Sequence, residues 1–182
     1  VKFYPVSLAE GLKKFNFEVE EVGPKHQNLS AYSKWELFNF TVRETVMLMR
    51  KAMRKIRKQS SRSEYQTIAA NIVSESIESV GFAQFFLNHP ELKPPVVIVP
   101  ATAHYSWEKA MKVLGIGTNN MITIPSDGHM RMRTDRLQEV IDRYIENEQP
   151  VLAVVGVLGS TEFGSVDPIH KIVEIRKKAL AQ

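Results

Sequence analysis

The chain has 182 residues, 43% hydrophobic and 24% charged, a balance that can bury a core and excludes an intrinsically disordered segment. No apolar run approaches the roughly 18 residues of a membrane span, and the lack of cysteine excludes disulfides, thiolate nucleophiles and zinc–thiolate sites. A cytoplasmic protein is expected; the start Val1-Lys2-Phe3-Tyr4-Pro5 carries no signal-peptide pattern, and Val1 implies that the natural start lies upstream.

The first segment, residues 1–62, reads as helical. Gly23-Pro24 and the polar run to Ser30 interrupt any early helix. Beyond them Trp35, Phe38, Val42, Val46, Met49, Met53 and Ile56 recur at steps of three and four, which predicts one apolar helix stripe. The net charge is +4, and its placement matters more than its size. Arg43, Arg50, Lys51, Arg54, Lys55, Arg57, Lys58 and Arg62 stand against Glu44 alone. Such a patch suits a nucleic acid, an acidic membrane or a calmodulin-like partner. A solvated helix face accounts for it with fewer assumptions, so no nucleic-acid partner is expected. Gln59 to Ser63 reads as a linker or exposed turn, which divides the chain into segments 1–62 and 63–182.

The second segment alternates apolar runs with amphipathic stretches. Pro95 to Pro100 is short, β-branched and bounded by prolines, as in a buried strand. A helix is predicted from about His104 to Leu114, ended by Gly115. Met121 to Ile124 is a second strand. A helix follows near Thr134, whose hydroxyl is expected to cap it, with Leu137, Val140, Ile141, Tyr144 and Ile145 on its apolar face. Val151 to Val157 reads as a strand covered on both sides. Asp167-Pro168 is expected to open the last helix, aspartate as cap, with Ile169, Ile172, Val173 and Leu180 inside. This alternation predicts an α/β fold with a parallel sheet, helices on both faces and right-handed crossovers.

Working loops of such a sheet lie at the carboxyl ends of its strands. They read as Ala101 to Ser106, Pro125 to His129 and Leu158 to Gly164, the last carrying hydroxyl residues between two glycines. His104 stands at a strand end and a helix start, where the helix dipole favours the neutral imidazole. A flat neutral imidazole can stack on a ring and also move a proton. A lone histidine is often structural, and His26, His89 and His129 are read so. No nucleophile elbow, phosphate loop or zinc-protease motif occurs, and the histidines are too scattered for a metal site.

Thr102-Ala103-His104-Tyr105-Ser106-Trp107-Glu108-Lys109-Ala110 resembles the A-H-[YF]-S-x-x-K-A segment of group II pyridoxal-phosphate (PLP) amino-acid decarboxylases. Gly159 to Ile169 resembles their G-T-T-x-x-G-x-x-D-P-I segment. Leu114-Gly115-Ile116 and Met130-Arg131-Met132 to Leu137 match the pattern between them, so the resemblance covers roughly residues 70–182. It is nearest to decarboxylases of glutamate, aspartate or tyrosine.

The resemblance implies part of a type I PLP-enzyme large domain, with active sites at a homodimer interface. It implies pyridoxal 5'-phosphate as cofactor, an amino acid as substrate, and loss of the α-carboxylate as CO2. His104 matches the catalytic histidine that stacks on the cofactor ring. Ser160 and Thr161 match paired threonines near cofactor and substrate, serine keeping the first hydroxyl. The phosphate-binding stretch corresponds to Val73 to Ser79 without the family's glycine pair. Either Glu75 or Glu78 falls on the family glutamate, and Ser74 and Ser76 are the remaining hydroxyl donors. The family's Schiff-base lysine and the aspartate that pairs with the ring nitrogen have no match in these residues. Lys109 and the His170-Lys171 pair lie on other elements. The chain alone is therefore expected to be inactive, a segment of the full enzyme. The alternative expectation is a non-catalytic binding or dimerisation module derived from the fold.

Overall fold

The computed structural model describes residues 3–180, which form two compact units, one ending at Glu91 and the other beginning at Leu92. The first contains helices α1 (Tyr4–Lys13), α2 (Lys34–Phe38), α3 (Val42–Gln59), α4 (Arg62–Ser74), α5 (Ile77–Val80) and α6 (Phe82–Asn88). Helices α2, α3 and α4 start with one device. Ser33, Thr41 and Ser61 each accept the N–H of the glutamate three residues on, and that glutamate accepts the cap residue's own N–H. Reciprocal capping satisfies donors that a helix start otherwise leaves open. The polar run at Ser60 and Ser61 is thus a sharp connection within the first unit, and α4 packs on α1.

The single stripe expected from Trp35 to Ile56 is corrected. Asn39 to Thr41 separate α2 from α3 and reset the helical phase. The buried seam of α3 is Thr45, Leu48, Ala52 and Ile56, whereas Val42 is 60% exposed and Met49 38%. At 3.6 residues per turn, the repeat at 42, 46, 49 and 53 runs about a quarter-turn away from that seam. Part of the basic face is answered within the unit: Lys55 pairs with Glu20 at 3.2 Å, and Lys51 donates to the Glu21 carbonyl at 3.0 Å.

Helices α1 and α4 meet at Gly11, where a Cβ would lie 2.8 Å from the Ile72 Cα. Asn71 Nδ2 donates to the Gly11 carbonyl at 2.9 Å. Glycine inside a helix costs roughly 0.5–1 kcal/mol relative to alanine, and this close approach offsets it. A polar cluster ties α1 and α2 to the end of the unit. Lys34 pairs with Glu10 at 2.9 Å and with Glu91, and donates to Nδ1 of buried His89 at 3.0 Å. An ammonium only donates, so Nδ1 is the acceptor and the ring proton sits on Nε2. Burial, then the Lys34 charge, hold His89 below the usual histidine range, against opposite pulls from Glu10, Glu91 and Glu75.

The second unit alternates β1 (Val96–Pro100), α7 (Ser106–Val113), β2 (Met121–Ile124), α8 (Thr134–Glu146), β3 (Val151–Val154) and α9 (Ile169–Ala179). The strands form a parallel sheet in the order β2-β1-β3, so β1 is central. Val96 and Ile98 pack with Ile124, Met132, Leu137, Ile141 and Ile175, which puts α8 and α9 on one face. Val97 and Val99 point the other way and are 4% and 2% exposed. That is the face to which a right-handed β1–α7–β2 crossover assigns α7.

Local expectations change here. β3 stops at Val154, short of Val157, and is not covered on both sides: Leu152 is 46% exposed, at a register shift against β1. Thr134 does not cap α8; it is the first helical residue, with Arg133 in the cap position. Asp167 does not cap α9, because Pro168 takes the cap position and the carboxylate bonds to other backbone groups. Leu180 lies past the end of α9 and is 71% exposed, while Ile175 is the buried residue of that helix. Among the described residues no helix is long and apolar enough to cross a membrane.

Gly11→Ala should lower stability by about 1–3 kcal/mol, read as an earlier urea midpoint with an unchanged slope. A midpoint at or above that of the wild type would contradict the α1–α4 contact. For His89 the folded pKa lies below the unfolded value, near 6.5, so on acidification the unfolded chain takes up the proton first. The stability held by the neutral ring is complete above that value and is lost as the pH falls below it toward the folded pKa. Urea midpoints should therefore drop more steeply between about pH 7.5 and about pH 5 in the wild type than in His89→Gln. Parallel profiles would refute the role of the buried ring.

Candidate active site

The exits of β1 and β3 are neighbours, and their connections lead to helices assigned to opposite faces of the sheet. Such a switch point leaves a crevice at the carboxyl edge, where open parallel sheets bind ligands. The β1 exit is pinned by the Ala101 N–H on the Ile124 carbonyl at 2.9 Å and the Ala103 N–H on the Pro100 carbonyl at 2.9 Å. His104 follows, exposed, two residues ahead of α7. Its Nδ1 accepts the Ser106 N–H at 3.3 Å and lies 3.0 Å from Ser106 Oγ. A backbone N–H only donates, so Nδ1 is the acceptor and, in the neutral ring, Nε2 carries the proton. Tyr105 leans on the imidazole with centroids 4.1 Å apart, and Lys109 Nζ stands 4.5 Å from the Tyr105 ring centre.

The β3 exit forms a closed turn. Leu158 and Val166 pair as an antiparallel bridge, and Gly159 and Gly164 take φ of 89° and 60°, a region that side chains disfavour. Ser160 is buried inside the turn: its hydroxyl lies 2.8 Å from Ser165 Oγ and accepts the Ser165 N–H at 3.2 Å. Thr161 is exposed. The β1 and β3 loops thus leave adjacent strands on one edge of the second unit. Ser74 and Ser76 belong to the first unit. The Ser74 hydroxyl donates to the Asn71 carbonyl at 2.8 Å, and Ser76 caps α5 by accepting the Ser79 N–H at 3.3 Å. Glu75 pairs with Lys14.

Other polar groups at this edge were not read as site residues in the sequence, where Asp167 was expected only as a helix cap. Asp127, in the loop after β2, accepts the Arg131 N–H at 3.0 Å and the His129 N–H at 2.8 Å, and takes the Arg131 guanidinium at 3.0 and 2.8 Å. These bonds, the Arg131 N–H first, hold its carboxyl down at about 2. The Asp127-Gly128 pair is a readable turn signal. Asp167 is 2% exposed; its two oxygens accept the Met132 N–H at 2.7 Å and the Val157 N–H at 2.8 Å. Thr102 Oγ1 and Ser126 Oγ, at the exits of β1 and β2, are buried without a hydrogen-bond partner. An unpaired buried hydroxyl costs about 1–3 kcal/mol, so this edge has hydrogen-bonding capacity to offer a ligand.

Residues 86–181 match the family model of the pyridoxal-dependent decarboxylase conserved domain. The chain is similar to an L-tyrosine decarboxylase of Levilactobacillus brevis, 33% identical over 173 residues, 93% of this chain and 24% of the relative. A probable L-tyrosine/L-aspartate decarboxylase of Methanoculleus marisnigri is 42% identical over 83 residues, 46% of this chain and 20% of the relative. The chain therefore spans about a quarter of the length of the tyrosine decarboxylase that it matches. Among solved structures, mouse CSAD overlaps 52% of this chain and 22% of its own at 24% identity, with a TM-score of 0.46.

Proposed function

The chain belongs to the pyridoxal-dependent decarboxylase family, and on that premise we propose that it works within an enzyme that removes the α-carboxylate of an amino acid as CO2. The relatives' names make L-tyrosine the first substrate to assay and L-aspartate the second. The observation that carries the reading is the exposed imidazole of His104 at the exit of the central strand, beside the hydroxyl turn of the adjacent strand.

The family's cofactor is pyridoxal 5'-phosphate. The residues at this edge fit its ring: a flat exposed imidazole, a loop with an exposed hydroxyl, and two buried hydroxyls without partners. When bound, the cofactor supplies an electron sink for the pair released as the bond from Cα to the carboxylate breaks. His104 would stack on one face of the ring. Ser106 fixes the orientation of the imidazole through Nδ1, which leaves Nε2 as the atom at which a proton is held or delivered. Thr161 would offer its hydroxyl to cofactor or substrate, and Ser160 would brace the turn behind it. Ser74 and Ser76 lie in the first unit, where their hydroxyls donate to the Asn71 carbonyl and to Ser79 Oγ.

The covalent role is assigned to no lysine within residues 1–182. Lys109 stands over the Tyr105 ring, and Lys171 lies on α9. A larger type I sheet, a homodimer and a cytoplasmic setting belong to the same proposal.

In the full-length protein supplied with the cofactor, His104→Ala should lower the turnover of L-tyrosine by roughly 10²-fold or more. Its unfolding midpoint should barely move, because the ring is exposed. Release of CO2 at the wild-type rate would reject the role of His104.

A further inference from the structure

The carboxylate of Asp167 is buried and, among the described residues, faces no cation. Its two oxygens serve two separate stretches of chain: Oδ1 takes the N–H of Met132, at the far end of the loop that leaves β2, and Oδ2 takes the N–H of Val157, just ahead of the hydroxyl turn. The Asp167 N–H returns a bond to the Val157 carbonyl at 2.9 Å, which closes a reciprocal pair. Burying a charge without a counter-ion carries a desolvation cost of several kcal/mol. Backbone donors and the adjoining start of α9 are what offset it here. Asparagine would keep the volume and one acceptor, but its amide NH2 would face an N–H, donor against donor. The site therefore uses both oxygens of the carboxylate as acceptors.

The two stretches that Asp167 joins come from β2 and β3, which are not bonded to each other because β1 lies between them. The strand in the middle is the one that leads into His104. We propose that Asp167 is a positioning residue for the reaction: by tying Met132 to Val157 across β1, it sets where Ser160 and Thr161 stand beside His104. This rests on the decarboxylase reading above. Asp167 itself, 2% exposed, acts through the turn and does not touch substrate.

The test uses the full-length, cofactor-loaded protein and Asp167→Asn. The variant is expected to keep its cofactor content, to lose roughly 10²-fold in kcat, and to change KM by less than about threefold. Amide hydrogen exchange should quicken at Ser160 and Ser165, whose N–H groups close the turn, while Leu137 and Ile141 in α8 keep their wild-type protection. Wild-type kcat per bound cofactor would overturn the inference. So would exchange that quickens evenly through α8 and α9, the mark of a role in stability alone. Should Asp167→Asn fail to fold, Asp167→Glu carries the test, since it keeps both acceptors and the charge but displaces them by one methylene. It is expected to lose at least roughly tenfold in kcat, and wild-type turnover would again overturn the proposal. A wild-type protein that releases no CO2 from any amino acid fails the functional reading instead, and the exchange at Ser160 and Ser165 still decides the clamp.

Discussion

Every residue of β1, from Val96 to Pro100, is buried, and this burial orders the second unit. Fully burying a valine or isoleucine is worth about 1.5–3 kcal/mol, whereas one intramolecular hydrogen bond contributes about 0.5–1.5 kcal/mol net. The strand's position is therefore set by packing, and the loops adapt to it. A strand covered on both faces needs a bonded neighbour on each edge and helices above and below. The chain meets this by running first to β2 and then back past β1 to β3. That reversal brings exits leading to opposite faces side by side, the place where open parallel sheets bind ligands, so the position of the candidate site is a consequence of covering β1.

The first unit is held by different means. Apart from α3, with its 18 residues, its helices are short, and short helices are marginal on their own. Reciprocal caps at Ser33, Thr41 and Ser61 satisfy their starts, and Gly11 lets α1 press against α4. Lys34 then gathers Glu10, Glu91 and His89 around one ammonium. Burial pulls the pKa of Lys34 down, but the hydrogen bonds that it donates to Glu91 and Glu10 outweigh burial and leave the pKa raised. The same ammonium helps to keep His89 neutral. Lys34 is thus the hinge of the cluster: the two glutamates keep it charged, and its charge opposes their pull on His89.

How much of this was legible in the sequence follows from what each signal reports. The strands and helices of the second unit were readable because apolar runs and 3.6-residue stripes report burial directly. His104, Ser160 and Thr161 were found through a motif, and the structure puts them on the exits of neighbouring strands. The phase of α3 was misread because its apolar residues outnumber its buried ones, and periodicity alone does not say which stripe is covered. The sign that would have broken the helix was present: Thr41-Val42-Arg43-Glu44 is a capping-box sequence, as are Ser33 to Glu36 and Ser61 to Glu64. Asp167 was misassigned for a related reason. Aspartate before proline is a sound helix-start signal, but a side chain has one orientation, and two N–H groups distant in sequence competed for it. Partners such as Met132 and Val157 cannot be inferred from local pattern.

The polar residues at the carboxyl edge divide into those that hold and those that are left free. Asp127, Ser160 and Asp167 have acceptors filled by backbone N–H groups of the loops themselves, and the Ser106 N–H fills Nδ1 of His104. They make the loops rigid without help from a ligand. The outer surface of His104 and the hydroxyl of Thr161 remain available. A site gains most when the groups that meet a ligand are oriented before it arrives, and side-chain bonds to the backbone achieve this with little bulk. The same division separates two neighbours that the motif treats as a pair. Serine at 160 is small enough to sit inside the turn and bond with Ser165, so the hydroxyl left to meet a ligand is that of Thr161.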